Sequence, residues 1–280
     1  MKTIKKAIFS IAMGTLLSSC TYETIRERVS DTVSSREYEF ENITAISVAT
    51  DFKAYVTFSD TEESVRIRSN DNLFSKIKIY QEGERLVVKL KNNVHIVGEK
   101  TLQLYITMAE IRDYRASSDA AIYLDDPLVA DNVSLELSSD GYFEGDITTA
   151  DFELKASSDS KADVFLDADK TYMDISSGAK VEGEIATEDA TLKLTSDSVI
   201  DMVGTMDDLK ANLSSDSRLR DYGLEIRDLE ISLSSDSDAY LTVSNTIDVK
   251  ASSDARLFYK GDADIVRQEL SSDGRVIKKD

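Results

Sequence analysis

The chain has 280 residues, with 33 basic and 53 acidic side chains, a net charge of −20, one proline, one histidine, one cysteine and no tryptophan. So acidic a surface favours solubility and disfavours nucleic acid and anionic membrane as partners. The length allows one or two domains, and the single cysteine excludes a disulfide within the chain.

Residues 1–20 read as a processing segment. Lys2, Lys5 and Lys6 make a basic start, and Ala7 to Leu17 is an apolar run too short to span a membrane as a mature helix. The run ends in Leu17-Ser18-Ser19-Cys20, which resembles the bacterial lipobox. Cleavage there would leave Cys20 as the lipidated N-terminus and direct the protein to the cell envelope. That predicts an outer-membrane lipoprotein, on either the periplasmic or the surface face. Residues 21–36 are polar and charged without sustained periodicity, so they are expected to form a flexible tether.

Residues 37–112 carry strand signals at Ile46 to Phe58, Val65 to Ile67, Ile77 to Tyr80, Leu86 to Leu90 and Leu102 to Met108. Gln81-Glu82-Gly83-Glu84 reads as a hairpin turn between two of them. These lengths suit antiparallel or irregular first coils that cap a stacked core.

From residue 113 to 280 one triplet returns. It is Ser-Ser-Asp at 117–119, 138–140, 157–159, 214–216, 234–236, 252–254 and 271–273, with Ser176-Ser177-Gly178 and Thr195-Ser196-Asp197 filling the gap. Successive first positions lie 21, 19, 19, 19, 19, 20, 18 and 19 residues apart. A fixed period in a strand-like sequence predicts a solenoid. The residue before each triplet is apolar, as at Leu137, Ile175 and Leu213, and polar and apolar residues alternate around it. That is the pattern of a half-buried strand. The expected fold is all-β: a parallel β-helix-like solenoid of about nine coils, stacked at about 4.8 Å per step.

Period-2 counting continued through the triplet puts the second serine inward. Ser118, Ser139, Ser158, Ser177, Ser196, Ser215, Ser235, Ser253 and Ser272 are therefore expected to form a buried hydroxyl ladder. The residue after the triplet is always small, and the next inward position is apolar.

A lipobox leader, a strand-rich segment from Ile43 to Met108 and stacked repeats with Ser-rich corners together resemble the family described as "putative auto-transporter adhesin, head GIN domain" over about residues 38–276. The resemblance implies a β-helical fold in a bacterial envelope protein. Corners in that family are often Gly-Ser-Gly-like, whereas here they are Ser-Ser-Asp.

Asp119, Asp140, Asp159, Asp197, Asp216, Asp236, Asp254 and Asp273 would line up outside the corners and form the one candidate cation column, for a hard ion such as Ca²⁺. The neighbouring columns carry bases such as Lys161, Lys180 and Arg218, then acids such as Asp163, Glu182 and Asp201. Such a face is expected to neutralise itself, so no metal and no cofactor are assigned. Tyr123, Tyr142, Tyr172, Tyr240 and Phe258 fall on the outward parity, where they could stack on sugars or simply lie exposed. His95 stands alone outside the repeats, and the repeat is not broken by any long inserted loop. No catalytic residue is expected. The reading is a lipid-anchored envelope solenoid with a structural, adhesive or binding role, whose partner besides the membrane is a glycan or a surface protein. The alternative is a carbohydrate-active β-helix enzyme, a lyase or hydrolase.

Overall fold

The computed structural model describes residues 25–280; the leader, with Cys20, lies outside the described residues. The fold is a β-solenoid of about nine turns with a strand-rich N-terminal region. Its strands are β1 (Ile25–Arg28), β2 (Val33–Tyr38), β3 (Ala45–Ala49), β4 (Lys53–Phe58), β5 (Ser64–Asn70), β6 (Ile77–Glu82), β7 (Arg85–Leu90), β8 (Val94–Val97) and β9 (Leu102–Met108) in the N-terminal region. The repeats form β10 (Asp113–Ser117), β11 (Ala121–Leu124), β12 (Leu128–Ser138), β13 (Tyr142–Ala156), β14 (Lys161–Ile175), β15 (Lys180–Leu194) and β16 (Val199–Leu213). They continue through β17 (Arg218–Arg220), β18 (Leu224–Leu233), β19 (Asp238–Ala251), β20 (Arg256–Lys260), β21 (Asp264–Leu270) and β22 (Arg275–Lys278).

Each coil has a departing leg after the triplet, a bend, and an arriving leg that leads to the next triplet. In β13 to β16 the bend falls at Ala150, Asp169, Glu188 and Asp207, the positions skipped by the otherwise continuous parallel pairing. Inward residues alternate along both legs. In β13 they are Phe143, Gly145, Ile147 and Thr149 before the bend and Phe152, Leu154 and Ala156 after it. Burial of this alternation from every coil makes one continuous core from Ile43 to Ala263. The longer steps are absorbed outside the legs, at Asp125–Pro127 between β11 and β12 and at Asp221–Gly223 between β17 and β18.

The N-terminal region contains a coil that its sequence does not advertise. β3 and β4 pair in parallel with β10 and β11, and their turn, Thr50-Asp51, is the tenth of the stack. β7 and β9 pair in parallel with β3 and β4 from the outside, although they come later in the chain. β6 then adds to β7, β5 to β9 and β2 to β5, all antiparallel. The Gly83 hairpin is present, with φ +60° and Glu82 opposite Arg85. Leu73 and Phe74, on a short 3-10 helix (Asp71–Lys76), are buried beneath this cover.

The tether expected over residues 21–36 is corrected from Ile25 onward. β1 pairs with β8, and β2 is part of the main sheet. The polar sequence is held by polar contacts. Asn72 Nδ2 donates to Glu27 Oε1 and to the Arg28 carbonyl, both at 2.8 Å, and Lys76 reaches Glu27 at 3.4 Å. A strand fixed by hydrogen bonds needs no hydrophobic periodicity, so its sequence looks like linker.

Candidate functional site: the turn ladder and the outer faces

The Ser-Ser-Asp triplet is a turn built from left-handed residues. The second serines, from Ser118 to Ser272, have φ between +45° and +56°, and the aspartates that follow have φ between +60° and +63°. Two consecutive positive φ values are what a type I′ turn requires. The amide of the residue after the triplet donates to the carbonyl of the first residue at 3.0–3.4 Å, closing the turn. The aspartate amide then donates to the second-serine carbonyl of the next coil, as in Asp140 to Ser158, Asp159 to Ser177 and Asp216 to Ser235, each at 3.0 Å. Asp51 in the tenth turn does the same to Ser118 at 3.0 Å. The stack of turns is therefore held by a backbone ladder.

This overturns the expected side-chain ladder. Ser118, Ser139, Ser158, Ser177, Ser196, Ser215, Ser235, Ser253 and Ser272 are exposed. The count stays in phase because the flanking inward residues are four apart, as at Leu213 and Ser217, but the two turn residues between them leave the pleat. The buried hydroxyls are one step further on. Ser198, Ser217 and Ser237 donate to the carbonyls of Ile175, Leu194 and Leu213 in the preceding coil at 3.1, 3.1 and 3.2 Å. Ser160 occupies the same column with its hydroxyl unpartnered. Where this position is glycine the carbonyl closes in: a Cβ on Gly141 would lie 2.3 Å from Ala116 O.

The aspartate column is exposed, and none of its eight carboxylates forms an ion pair among the described residues. The expected neutralisation across neighbouring columns occurs one column over. Lys161 and Lys180 both grip Glu182, the first at 2.5 Å, and Arg220 faces Asp201 at 3.9 Å. Hydrogen bonds from the two lysines hold the Glu182 carboxyl below its ordinary range. Among the described residues no three His, Cys, Asp or Glu side chains converge as a metal cage. His95 lies exposed on β8.

The outward aromatics other than Tyr172 form two spines. Tyr105, Tyr55 and Tyr123 stand in register on β9, β4 and β11, with ring centroids 5.2 and 5.4 Å apart and nearly parallel planes. Arg66 covers the far face of Tyr105 at 4.7 Å, and Tyr142 lies against Tyr123 at 5.6 Å. Partial burial, with the hydrogen bond from its hydroxyl to Glu144 at 2.8 Å, raises the Tyr142 phenol. In the last coils Tyr240 stacks on Phe258 at 4.7 Å, Tyr222 meets Tyr240 edge-on, and Lys279 covers Phe258. Tyr105, Tyr55, Tyr123, Tyr240 and Phe258 each have a neighbour on either side along these spines. They add packing across coils and leave ring edges and hydroxyls, not open faces, for a ligand. Tyr55 and Tyr105 lie outside the repeats, and only the parallel pairing of β4 and β9 reveals their role.

The outer face of the arriving legs is hollowed. Recesses of about 740, 310 and 850 Å³ follow one another along it. They are lined first by residues such as Asn132, Asp151, Lys170 and Tyr172, then by Asp208, Lys210 and Asp248, and last by Asn212, Lys250 and Gln268. Charges alternate along it. Lys210 meets Glu230 at 2.9 Å and Arg267 meets Asp248 at 2.6 Å, while Lys193 lies 5.1 Å from the centre of the Tyr172 ring. The result is a long, open groove edged by amides, hydroxyls and paired ions, with apolar surface from residues such as Val133, Phe152, Leu233 and Leu270 between them. Its run across successive coils suits an extended chain better than a compact ligand.

Such a fold is that of a β-solenoid protein. A family profile described as "Putative auto-transporter adhesin, head GIN domain" matches residues 42–184 and 160–263, and the chain belongs to that family. Solved structures with the same fold include a "putative adhesin" from Parabacteroides merdae, with TM-score 0.69, 14% identity, and 91% of this chain and 99% of that chain covered. A second "putative adhesin", from Parabacteroides distasonis, has TM-score 0.67, 15% identity and coverage of 91% and 100%. A "putative lipid binding protein" from the same species has TM-score 0.64, 13% identity and the same coverage. A search of curated proteins finds no match.

Proposed function

We propose that the protein is a non-catalytic adhesin of the cell envelope, anchored by lipid on Cys20, which binds an extended glycan or polypeptide along the arriving-leg groove. Membership of an adhesin-type family over most of the chain carries this reading. The groove supports it, because it runs from Arg112 to Ser271 across successive coils and presents charged and hydrogen-bonding side chains along its length. The lipobox Leu17-Ser18-Ser19-Cys20 supports the anchor, and no helix among the described residues is long and apolar enough to cross a membrane. The test is a glycan and matrix-protein array probed with the chain from residue 21. Binding should be weakened by Lys170→Glu and Lys210→Glu. Ligands bound equally well by these variants would move the site elsewhere. Cys20→Ala should release the full-length protein from the membrane fraction and abolish palmitate labelling.

A further inference from the structure

The net charge is unevenly divided. Residues 25–112 carry 13 basic and 14 acidic side chains, and residues 113–280 carry 17 and 38. The cap is almost neutral on a strongly acidic rod, and four of its lysines lie on or beside one hairpin. In the β6–β7 hairpin, Lys78 stands directly opposite Lys89 on the outer face, while Ile77 and Leu90 beside them point into the core. Lys76 and Lys91 flank the pair at the open end of the hairpin, where the Lys91 amide donates to the Lys76 carbonyl. Like charges placed opposite each other destabilise a sheet unless something else offsets them. Lys76 has Glu27, but neither Lys78 nor Lys89 forms an ion pair among the described residues.

The position of this cluster is the second observation. β1 is clamped beside it, through Lys76 to Glu27 and Asn72 to Arg28, and exposed Arg26 and Arg28 add to the positive surface. From Cys20 to Ile25 the chain has five steps, a reach of at most about 18 Å when fully extended. A lipid on Cys20 would therefore hold this corner of the cap close to the bilayer, near the range over which headgroup charge acts.

We propose that the lysine face of the β6–β7 hairpin docks on the anionic lipid headgroups of the membrane in which Cys20 is anchored. Docking would set the solenoid cap-down on the bilayer, with the acidic coils carried away from it by repulsion. The inference rests on the lipid-anchored reading. The competing role for these lysines is to blunt the edge strand β6 against other chains, a role that needs no membrane.

The test uses Cys20, the only cysteine of the chain. The chain from residue 20 contains every described residue, cap and core together, and is coupled through that thiol to a maleimide lipid in vesicles. Lysine reactivity toward an acylating reagent is then read by mass spectrometry. On vesicles containing phosphatidylglycerol, Lys78, Lys89 and Lys91 should be at least about fivefold less reactive than on pure phosphatidylcholine, the change that one lysine–headgroup contact is worth. Lys193 and Lys250 should be equally reactive on both. Lys78→Glu with Lys89→Glu, which keeps the edge charged, should remove the protection of Lys91, and so should high salt. Equal reactivity on both vesicles, or protection that survives the double substitution, would overturn the proposal. Because the coupling is chemical, this outcome is independent of native lipidation, which palmitate labelling of the full-length chain tests separately.

Discussion

In the repeat stack a residue's environment follows from its place in a period of about 19 residues, whereas in the cap it follows from which strand happens to lie beside it. In the stack, every residue before a triplet from Ala116 to Ala251 is buried by the coils on either side. In the last coil the equivalent Leu270 is 43% exposed, and Gln268 replaces the apolar residue two positions earlier. In the cap, β7 and β9 lie outside β3 and β4 despite following them in the chain. Periodicity thus reports stacking only where a coil has its sequence neighbours as its spatial neighbours.

The largest break in this comparison should come from backbone crowding. Gly204, in mid-stack, has φ +123°, and a Cβ there would lie 1.9 Å from Ile185 O. Gly204→Val should destabilise by at least about 3 kcal/mol in denaturant unfolding, through strain and overpacking together. Gly83 in the cap has φ +60° but open space around it, so Gly83→Asn should cost less than about 1 kcal/mol. Similar losses at both sites would mean that neighbouring coils do not crowd the backbone.

Core truncation should separate middle from end. Leu192 is fully buried, and Leu192→Ala should cost about 2–5 kcal/mol. Leu270→Ala should cost under about 1 kcal/mol, because much of that side chain is already exposed to water. Calorimetry checks both.

The turns give a smaller, signed effect. Ser215, at φ +55°, should tolerate glycine with little loss or a slight gain, while Ser215→Val should cost about 1–2 kcal/mol because a left-handed conformation strains an L side chain. Thr50→Gly in the cap coil, at φ +62°, should behave like Ser215→Gly. A stabilising Ser215→Val would restore the inward serine.

The smallest effect is that of acid. Hydrogen bonds from Lys161 and Lys180 depress Glu182, one from Arg267 depresses Asp248, and one from the Thr246 hydroxyl depresses Asp228. A carboxyl whose folded pKa is depressed stabilises above its unfolded pKa, and that contribution is lost as pH falls through the folded value. The melting temperature should therefore start to fall below pH about 4.3, the ordinary glutamate value, and go on falling at lower pH. Glu182→Gln should flatten part of that slope; an unchanged slope would mean that the lysine pair contributes nothing.

Much of the fold was legible in the sequence because coils repeat. The period, the apolar residue before each triplet, the small residue after it and the Gly83 hairpin all have the places expected of them. The second serine was misread because period-2 counting describes a pleat, and Ser215 and Asp216 sit on a turn that leaves it. The Thr50-Asp51 turn was hidden because threonine replaces the second serine and alanine the first. β1 was hidden because Asn72, Glu27 and Lys76 hold it by polar contacts that carry no period. Of the candidate faces, the aromatic columns were visible but their mutual stacking was not, since Tyr55 and Tyr105 join Tyr123 only through the order of layers.

Ser-Ser-Asp is a turn whose backbone links one coil to the next, and amide hydrogen exchange tests this residue by residue. Asp119, Asp140, Asp159, Asp197, Asp216, Asp236 and Asp254 each donate their amide to the next coil's serine carbonyl, at 3.0 or 3.1 Å. Asp273, in the last turn, has no such acceptor among the described residues. Strong protection is expected at Asp159, Asp197 and Asp216 in mid-stack, and fast exchange at Asp273 despite the same local sequence. Equally fast exchange at Asp216 and Asp273 would contradict it, because the turns would then be isolated corners and the ladder would not exist.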